Sequence, residues 1–310
     1  MIVLLTGGTG GAKLVQGIHA EVQPEEVVII CNTGDDSVVH GLQISPDIDT
    51  IMYTLAGRID PAKGWGLAND TFVVLEELAR LGADTWFRLG DRDLATHITR
   101  TQLLGEGLRL SEVTSKLCRA LKVSTTVLPM SDDAVSTRIV TTDGELSFQE
   151  YFVRARFEPE VTNLWYQGVD TCAPAPGAVE SILAAATVIV CPSNPATSIG
   201  PILAVPGVRK ALQETPAQVI AVSPIVKGRS FSGPAHKLMH ALGVEASVVG
   251  LATAYRDFVN VLVVGPEDDL CRKDIEALGI RPLVTSIRMD SLADKQQLAR
   301  KLLGVKSWTM

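Results

Sequence analysis

Short runs rich in Val and Ile, each bounded by Gly, Asn, Ser or Pro, recur along the 310-residue chain at positions 2–5, 27–31, 188–191, 219–222 and 259–264. Apart from Asn260 they are continuously apolar rather than alternating, which predicts parallel strands buried on both faces. Between them the spacing predicts helices over 178–186, opened by Pro176, and over 268–278, closed by Gly279 with Pro282 just beyond. Strand alternating with helix is the α/β pattern. The middle of the chain breaks this rhythm. Helices are predicted over 70–81 and 110–121, and a hairpin joins 135–141 to 145–148 through the turn Thr142-Asp143-Gly144. The expected organisation is a core of residues 1–56 and 173–310 carrying an inserted, smaller α+β lobe, 57–172.

Composition narrows the function. With 46% hydrophobic and 20% charged residues the chain has material for a sizeable core, which excludes disorder. A net charge of −7 argues against a broad nucleic-acid surface, which needs clustered Lys and Arg. An anionic small ligand would then need backbone amides or a divalent cation to offset the overall repulsion. Five scattered cysteines, none in a C-x-x-C pair, fit reduced thiols and a cytoplasmic protein. Only four apolar residues separate Met1 from Thr6-Gly7-Gly8, too few for a signal-peptide core. The longest apolar stretch, near 182–191, is about half the roughly 20 residues of a spanning helix, so no membrane span is expected.

Gly7-Gly8-Thr9-Gly10-Gly11-Ala12-Lys13 lies between a predicted strand and a predicted helix. Its glycines let backbone approach a ligand, and the helix N-terminus presents free N–H groups to a phosphate. The competing account is a tight turn without a ligand. It is not a Walker A loop, because Leu14 follows Lys13 where Ser or Thr is required, and the third glycine of a dinucleotide fingerprint is missing.

Asn32-Thr33-Gly34-Asp35-Asp36 follows the second strand and so falls beside the glycine loop. Adjacent carboxylates repel unless a positive charge sits nearby, and Mg²⁺ takes one or two carboxylates while leaving room for substrate phosphate. A solvated, helix-capping loop is the plainer account, with Asp35 the stronger ligand candidate. In Ser45-Pro46-Asp47-Ile48-Asp49-Thr50, Ser45 as N-cap, Pro46 at the first helical position and acids in the first turn read as a helix start. Capping accounts for Asp47. Asp49 lies further inward, where a second metal contact or a substrate hydrogen bond is the alternative.

Two more strand tips, Pro192-Ser193-Asn194-Pro195 and Ser223-Pro224, carry small polar groups of the kind that line a sheet-edge crevice, though turn chemistry alone explains either one. In the middle segment Trp86-Phe87 precedes Gly90-Asp91-Arg92-Asp93 and Thr96-His97, which is either a flat-ring pocket with a polar rim or a core pair beside a capping loop. Trp65 is open to the same two readings. His236 and His240 lie one helical turn apart, but Lys237 stands where a zinc protease needs Glu. No G-x-S-x-G elbow is present, and nothing near Cys191 in sequence would activate it.

Taken together, the glycine-loop segment, Asn32–Asp36, His40-Gly41-Leu42 through Thr50, Trp86 to His97 and Pro192–Pro195 closely resemble the 2-phospholactate transferases of deazaflavin coenzyme F(420) biosynthesis, over a stretch reaching at least Gly228. The resemblance implies a Rossmann-like open, mostly parallel sheet with helices on both faces. It implies transfer of a phospholactyl group from lactyl-diphosphoguanosine to the ribityl hydroxyl of the deazaflavin Fo, with release of GMP. Mg²⁺ is the implied metal, held by Asp35 and Asp49. Thr9, Gly10, Gly11 and Lys13 with Ser193, Asn194 and Ser223 fall to the guanosine diphosphate side, and Trp86, Gly90, Asp91 and Thr96 to the Fo side. Asp36 and Asp91 are the candidates for taking the hydroxyl proton. A homodimer is the default expectation. Two rivals remain: a nucleotide-sugar-binding regulator on a related fold, which would need no acceptor pocket, and an NAD-dependent oxidoreductase, against which the missing glycine counts.

Overall fold

The computed structural model describes residues 1–230 and 235–305. Seven parallel strands form the central sheet: β1 (Ile2–Thr6), β2 (Val27–Cys31), β3 (Thr126–Pro129), then, after an antiparallel unit of β4 (Ser136–Thr141), β5 (Gly144–Ser147) and β6 (Val161–Gln167), β7 (Thr187–Val190), β8 (Gln218–Val222), β9 (Val261–Val264) and β10 (Arg281–Val284). Their order across the sheet is β10-β9-β8-β7-β1-β2-β3. This is the doubly wound arrangement, whose winding reverses at β1 and β7.

The unbroken apolarity of the strands follows from their position. Val3, Leu5, Ile30, Val188, Val190 and Val219 point into one core, while Leu4, Ile29, Cys31, Ile189, Ile220 and Val222 point into another. With period 2 and both faces buried, the interior strand positions must be apolar, and polar residues such as Thr6, Thr187, Gln218 and Arg281 stand only at strand ends. The second core is closed by α1 (Gly8–His19), α2 (Pro46–Leu55), α5 (Leu110–Ala120) and the final helix, Leu292–Leu303; α6 (Ala178–Ala184) helps close the first. Between α2 and α5 lie α3 (Val73–Arg80) and α4 (Asp91–Gly105). No helix among the described residues is long and apolar enough to cross a membrane.

The sheet revises the expected single insertion of 57–172. Thr126–Pro129 returns to the core and pairs with Val28–Cys31 as the edge strand. That placement also accommodates Pro129, which has no N–H to offer a further neighbour. The excursion is therefore split into a helical part after α2 and the antiparallel unit after β3. The hairpin forms as expected and gains β6 as a third strand. The stretch 268–278 divides into a tight 3-10 turn, Pro266–Cys271, and a short helix, Arg272–Ala277. The segment read as a Gly-Asp-Arg-Asp loop is instead the start of the long helix α4.

Candidate active site at the switch point

The carboxyl ends of β1, β2, β7, β8 and β10 open onto one cleft of about 710 Å³, bordered by Gly7–Gly10, Asp35, Pro192–Asn194, Pro224 and Ile287–Asp290. Lys13 borders it too. This is the crevice an open α/β sheet forms where its winding reverses.

The glycine loop is held from both sides. Gly7 is extended and precedes α1, and Gly8 has φ of +64°, a left-handed conformation that glycine adopts without strain. The Gly8 N–H donates to Asp47 Oδ1 at 2.7 Å, and the Ser193 hydroxyl donates to the Gly7 carbonyl at 2.7 Å. A Cβ on Gly10 would lie 2.5 Å from the Pro192 carbonyl oxygen, and one on Gly11 would collide with the Thr6 hydroxyl. Gly10 and Gly11 thus let α1 pack against the neighbouring strand ends. Asn194 opens the π-helical turn Pro195–Ile199, its Oδ1 accepting from the Ala196 and Thr197 amides.

Asp47 was explained by helix capping, yet it reaches out of its own helix. Its Oδ2 accepts from the Asn32 side chain at 2.9 Å, which also donates to the Thr197 carbonyl at 3.1 Å, while Asn32 Oδ1 accepts from the Gly34 amide at 2.8 Å. Asn32 and Asp47 therefore tie together the loops after β1, β2 and β7. Ser45 does not cap α2 through its side chain; its hydroxyl donates to Asp36 Oδ2 at 2.7 Å. Helix-start chemistry in the sequence here serves long-range contacts.

The carboxylates are crowded. Asp35 borders the cleft and is buried, and its Oδ1 has no hydrogen-bond partner. Burial and then repulsion from Asp47 and Asp36 push its carboxyl well above the ordinary range. Burial likewise pushes Asp36 up, against the Ser45 hydrogen bond and the Arg100 charge, and raises Asp47 to about 6. Among the described residues no three Asp, Glu, His or Cys side chains converge as a closed metal cage. One orphaned carboxylate oxygen in a cleft bordered by the glycine loop matches the open coordination of Mg²⁺, which keeps most positions for water and substrate. Asp35 therefore fits as a ligand.

Asp49 does not. Its carboxylate is closed in an ion pair with the fully buried Arg100, with His97 Nδ1 3.6 Å away. A carboxylate already neutralised by a guanidinium is a poor metal ligand, so its expected metal role gives way to a structural one. Asp91 accepts from the Thr71 hydroxyl and the Val73 and Val74 amides, capping α3; these bonds hold its carboxyl below the ordinary range and make it a poor base. Thr96 accepts from the Tyr53 hydroxyl, and Gly90 packs against Asp70. Trp86 packs edge-on against Phe87 beneath Arg154 and does not border the cleft. Ser223, fully buried, bonds to both the amide and the carbonyl of Ile225 in its own turn.

The aromatic wall comes from elsewhere. Phe148 and Phe152, stacked 5.3 Å apart, border the cleft from the antiparallel unit, and Lys63 and Trp65 on the loop after α2 border it as well. Phe148 and Phe152 are four residues apart in a chain with 5% aromatics, a spacing that could have marked them. Arg288 and Asp290 were also missed, lying after β10 where no motif stands out.

Fold and cleft together define a doubly wound α/β protein with a glycine loop and an acidic group at its switch point. Residues 2–298 match the family described as 2-phospho-L-lactate transferase CofD, and the chain belongs to that family. It is 43% identical to the "2-phospho-L-lactate transferase" of Methanothermobacter thermautotrophicus, over 98% of this chain and 97% of that one. It is 42% identical to the "Phosphoenolpyruvate transferase" of Streptomyces griseus, over 97% of each. Among solved structures it resembles protein BH3568 of Bacillus halodurans, with a TM-score of 0.64 and 16% identity over 97% of this chain and 98% of that one, a likeness of fold.

Proposed function

We propose that the chain transfers a phospholactyl group from lactyl-diphosphoguanosine to the ribityl hydroxyl of Fo, releasing GMP, with Mg²⁺ as cofactor. The observation that carries this reading is the orphaned carboxylate oxygen of Asp35 in a cleft that also holds the glycine loop and an aromatic wall. The cleft's size suits two guests side by side.

In the reaction the hydroxyl oxygen attacks the phosphorus that bears the lactyl group. The new P–O bond forms as the bond to the bridging oxygen breaks, and GMP leaves with that oxygen. Alignment and charge neutralisation govern such a transfer more than a covalent nucleophile does. The amides of Thr9 and Gly10 and the Lys13 ammonium face the diphosphate, and Asp47, which takes the Gly8 amide, and Ser193 fix that loop's shape. Mg²⁺, held by Asp35, would supply positive charge to the phosphate oxygens. Asp35 and Asp36 both have raised carboxyl affinities for protons and one unpartnered oxygen each; with Asp35 given to Mg²⁺, Asp36 is the candidate for receiving the hydroxyl proton. The acceptor ring rests against Phe148 and Phe152 with Trp65 facing it.

The test is incubation of the protein with Fo, Mg²⁺ and lactyl-diphosphoguanosine, in parallel with its enolpyruvyl counterpart, following GMP and a heavier deazaflavin by mass spectrometry. GMP release with a phospholactyl-Fo product is expected. Absence of both with either donor refutes the reading, and product from the enolpyruvyl donor alone reassigns the acid.

A further inference from the structure

The antiparallel unit that supplies the aromatic wall also grips the Asp35 segment. The Thr137 N–H on β4 donates to the Gly34 carbonyl at 2.7 Å, and the Gln149 side chain, which stands between Phe148 and Phe152 in the chain, donates to the Asp35 carbonyl at 3.3 Å. A Cβ on Gly34 would lie 2.8 Å from Thr137 Oγ1, so this hydroxyl rests against the backbone that leads into Asp35. Along β4 the buried positions are Thr137, Ile139 and Thr141. Ile139 is core, and the Thr141 hydroxyl donates to the Gly144 carbonyl in the hairpin. Thr137 is fully buried, and among the described residues its hydroxyl has no hydrogen-bond partner. An unsatisfied buried hydroxyl costs about 1–3 kcal/mol, and Val would fill the same branched volume without it. The acceptor beside it is Asp35, whose Oδ1 is likewise buried and unpartnered. Burial, then Asp47 and Asp36, raise the Asp35 carboxyl, and the Thr137 hydroxyl is the foremost influence in the other direction.

We propose that Thr137 is a positioning residue for the metal ligand: its hydroxyl donates to the Asp35 carboxylate and turns that carboxylate toward a divalent cation in the cleft. This rests on the reading above that Asp35 holds Mg²⁺. The two groups are chemically complementary. An ionised carboxylate only accepts, and with two oxygens and about four lone-pair sites it takes one hydroxyl and still faces a cation. A hydrogen bond to a ligating carboxylate fixes its orientation, and it favours the charged form that a cation requires. The Asp35 backbone is already held by Thr137 and Gln149, which leaves the side-chain torsions as its remaining freedom. The Thr137 hydroxyl restricts those. One antiparallel unit thus presents the aromatic platform and orients the acid that neutralises phosphate charge.

The experiment is calorimetric titration of the metal-free full chain with Mg²⁺, for wild type, Thr137→Val, Thr137→Ser and Asp35→Asn, with melting temperatures recorded alongside. Thr137→Val should bind Mg²⁺ about 10- to 100-fold more weakly than wild type, the range for losing a hydrogen bond that supports a metal ligand. Thr137→Ser keeps the hydroxyl and should bind as wild type does. A packing role predicts the opposite order, because Val keeps the branched shape and Ser loses the methyl group. If Thr137→Val does not fold, Thr137→Ala against Thr137→Ser reads the same hydroxyl: weaker binding by Ala alone supports the assignment, and equal binding overturns it. Wild-type affinity in Thr137→Val, or equal losses in Val and Ser, with Asp35→Asn still impaired, overturns the role of Thr137 and leaves Asp35 in place. Absence of Mg²⁺ binding by wild type, or undiminished binding by Asp35→Asn, overturns the metal reading and this inference with it.

Discussion

Arg100, fully buried on α4, closes its guanidinium on the carboxylate of Asp49 in the first turn of α2, and this pair locks the helix that carries Asp47 to the helical part of the chain. Burial works against the guanidinium charge, but Asp49 overrides it and keeps Arg100 protonated. His97 shares the site, its Nε2 3.3 Å from Asp93. Removing one partner strands the other charge, so Arg100→Met should lower stability by about 3–5 kcal/mol. Asp49→Asn should destabilise in the same direction. Denaturant unfolding checks both, and a Mg²⁺ titration of folded Asp49→Asn should match wild type. A large loss of Mg²⁺ affinity in that variant would return Asp49 to the metal.

Asp35 has the opposite signature, a buried oxygen without a protein partner. Asp35→Asn keeps the shape and the hydrogen bonding while removing the charge, and it also relieves repulsion from Asp36 and Asp47. The variant should therefore be at least as stable as wild type in the absence of metal, while turnover falls by roughly 100-fold or more. Rates and melting temperature measured together separate these effects. Wild-type turnover in this variant would remove Asp35 from the chemistry.

The acidic cluster also fixes the sign of a pH dependence. Asp47 has a carboxyl raised from 3.8 to about 6, so the folded state binds a proton more readily than the unfolded chain. Its contribution to stability is complete below pH 3.8 and is lost as pH rises through 6. Metal-free wild type should therefore lose stability between pH 5 and 7.5 relative to Asp47→Asn, whose side chain does not titrate. Mg²⁺ should restore more stability at pH 7.5 than at pH 5, where protons compete for Asp35. Denaturant unfolding at several pH values, with and without Mg²⁺, reads both. A wild type that gains stability over this range relative to the variant contradicts the assignment.

The strands and the glycine loop were legible because their determinants are local: unbroken Val and Ile runs, and glycines where backbone must pass close to backbone. The edge strand Thr126–Pro129 was not, since four residues ending in Pro carry little pattern until Val28–Cys31 pairs with them. The acids show the same division. Asp35 and Asp36 stand out as adjacent charges, but whether Asp49 faces a cation or Arg100 depends on a residue 51 positions away. Asp47 reads as a cap because Ser45 and Pro46 precede it, and only the tertiary fold brings Gly8 and Asn32 to its oxygens. Trp86 is one of only four tryptophans in the chain. Its edge-on packing against Phe87 is the ordinary use of a large ring.

That packing moves the acceptor platform and makes it testable. Phe148 and Phe152 lie nearly parallel, 18° between planes, and border the cleft; Trp65 borders it too and is 41% exposed, with Lys63 Nζ 5.5 Å from its ring centroid. Aromatic contacts of this kind contribute about 0.5–1.5 kcal/mol beyond the area they bury, so Phe152→Ala should weaken Fo binding roughly tenfold. Phe148 also packs against the buried cluster that holds Ile139, Tyr151 and Leu164, and its removal should cost stability as well. Trp65→Ala should weaken binding with little effect on the fold, because Trp65 lies outside the hydrophobic core clusters. Trp86→Ala should leave Fo affinity unchanged while loosening the contact with Phe87. Quenching of Fo fluorescence on titration with each variant measures all four. A large loss of affinity confined to Trp86→Ala would return the acceptor to the helical part of the chain.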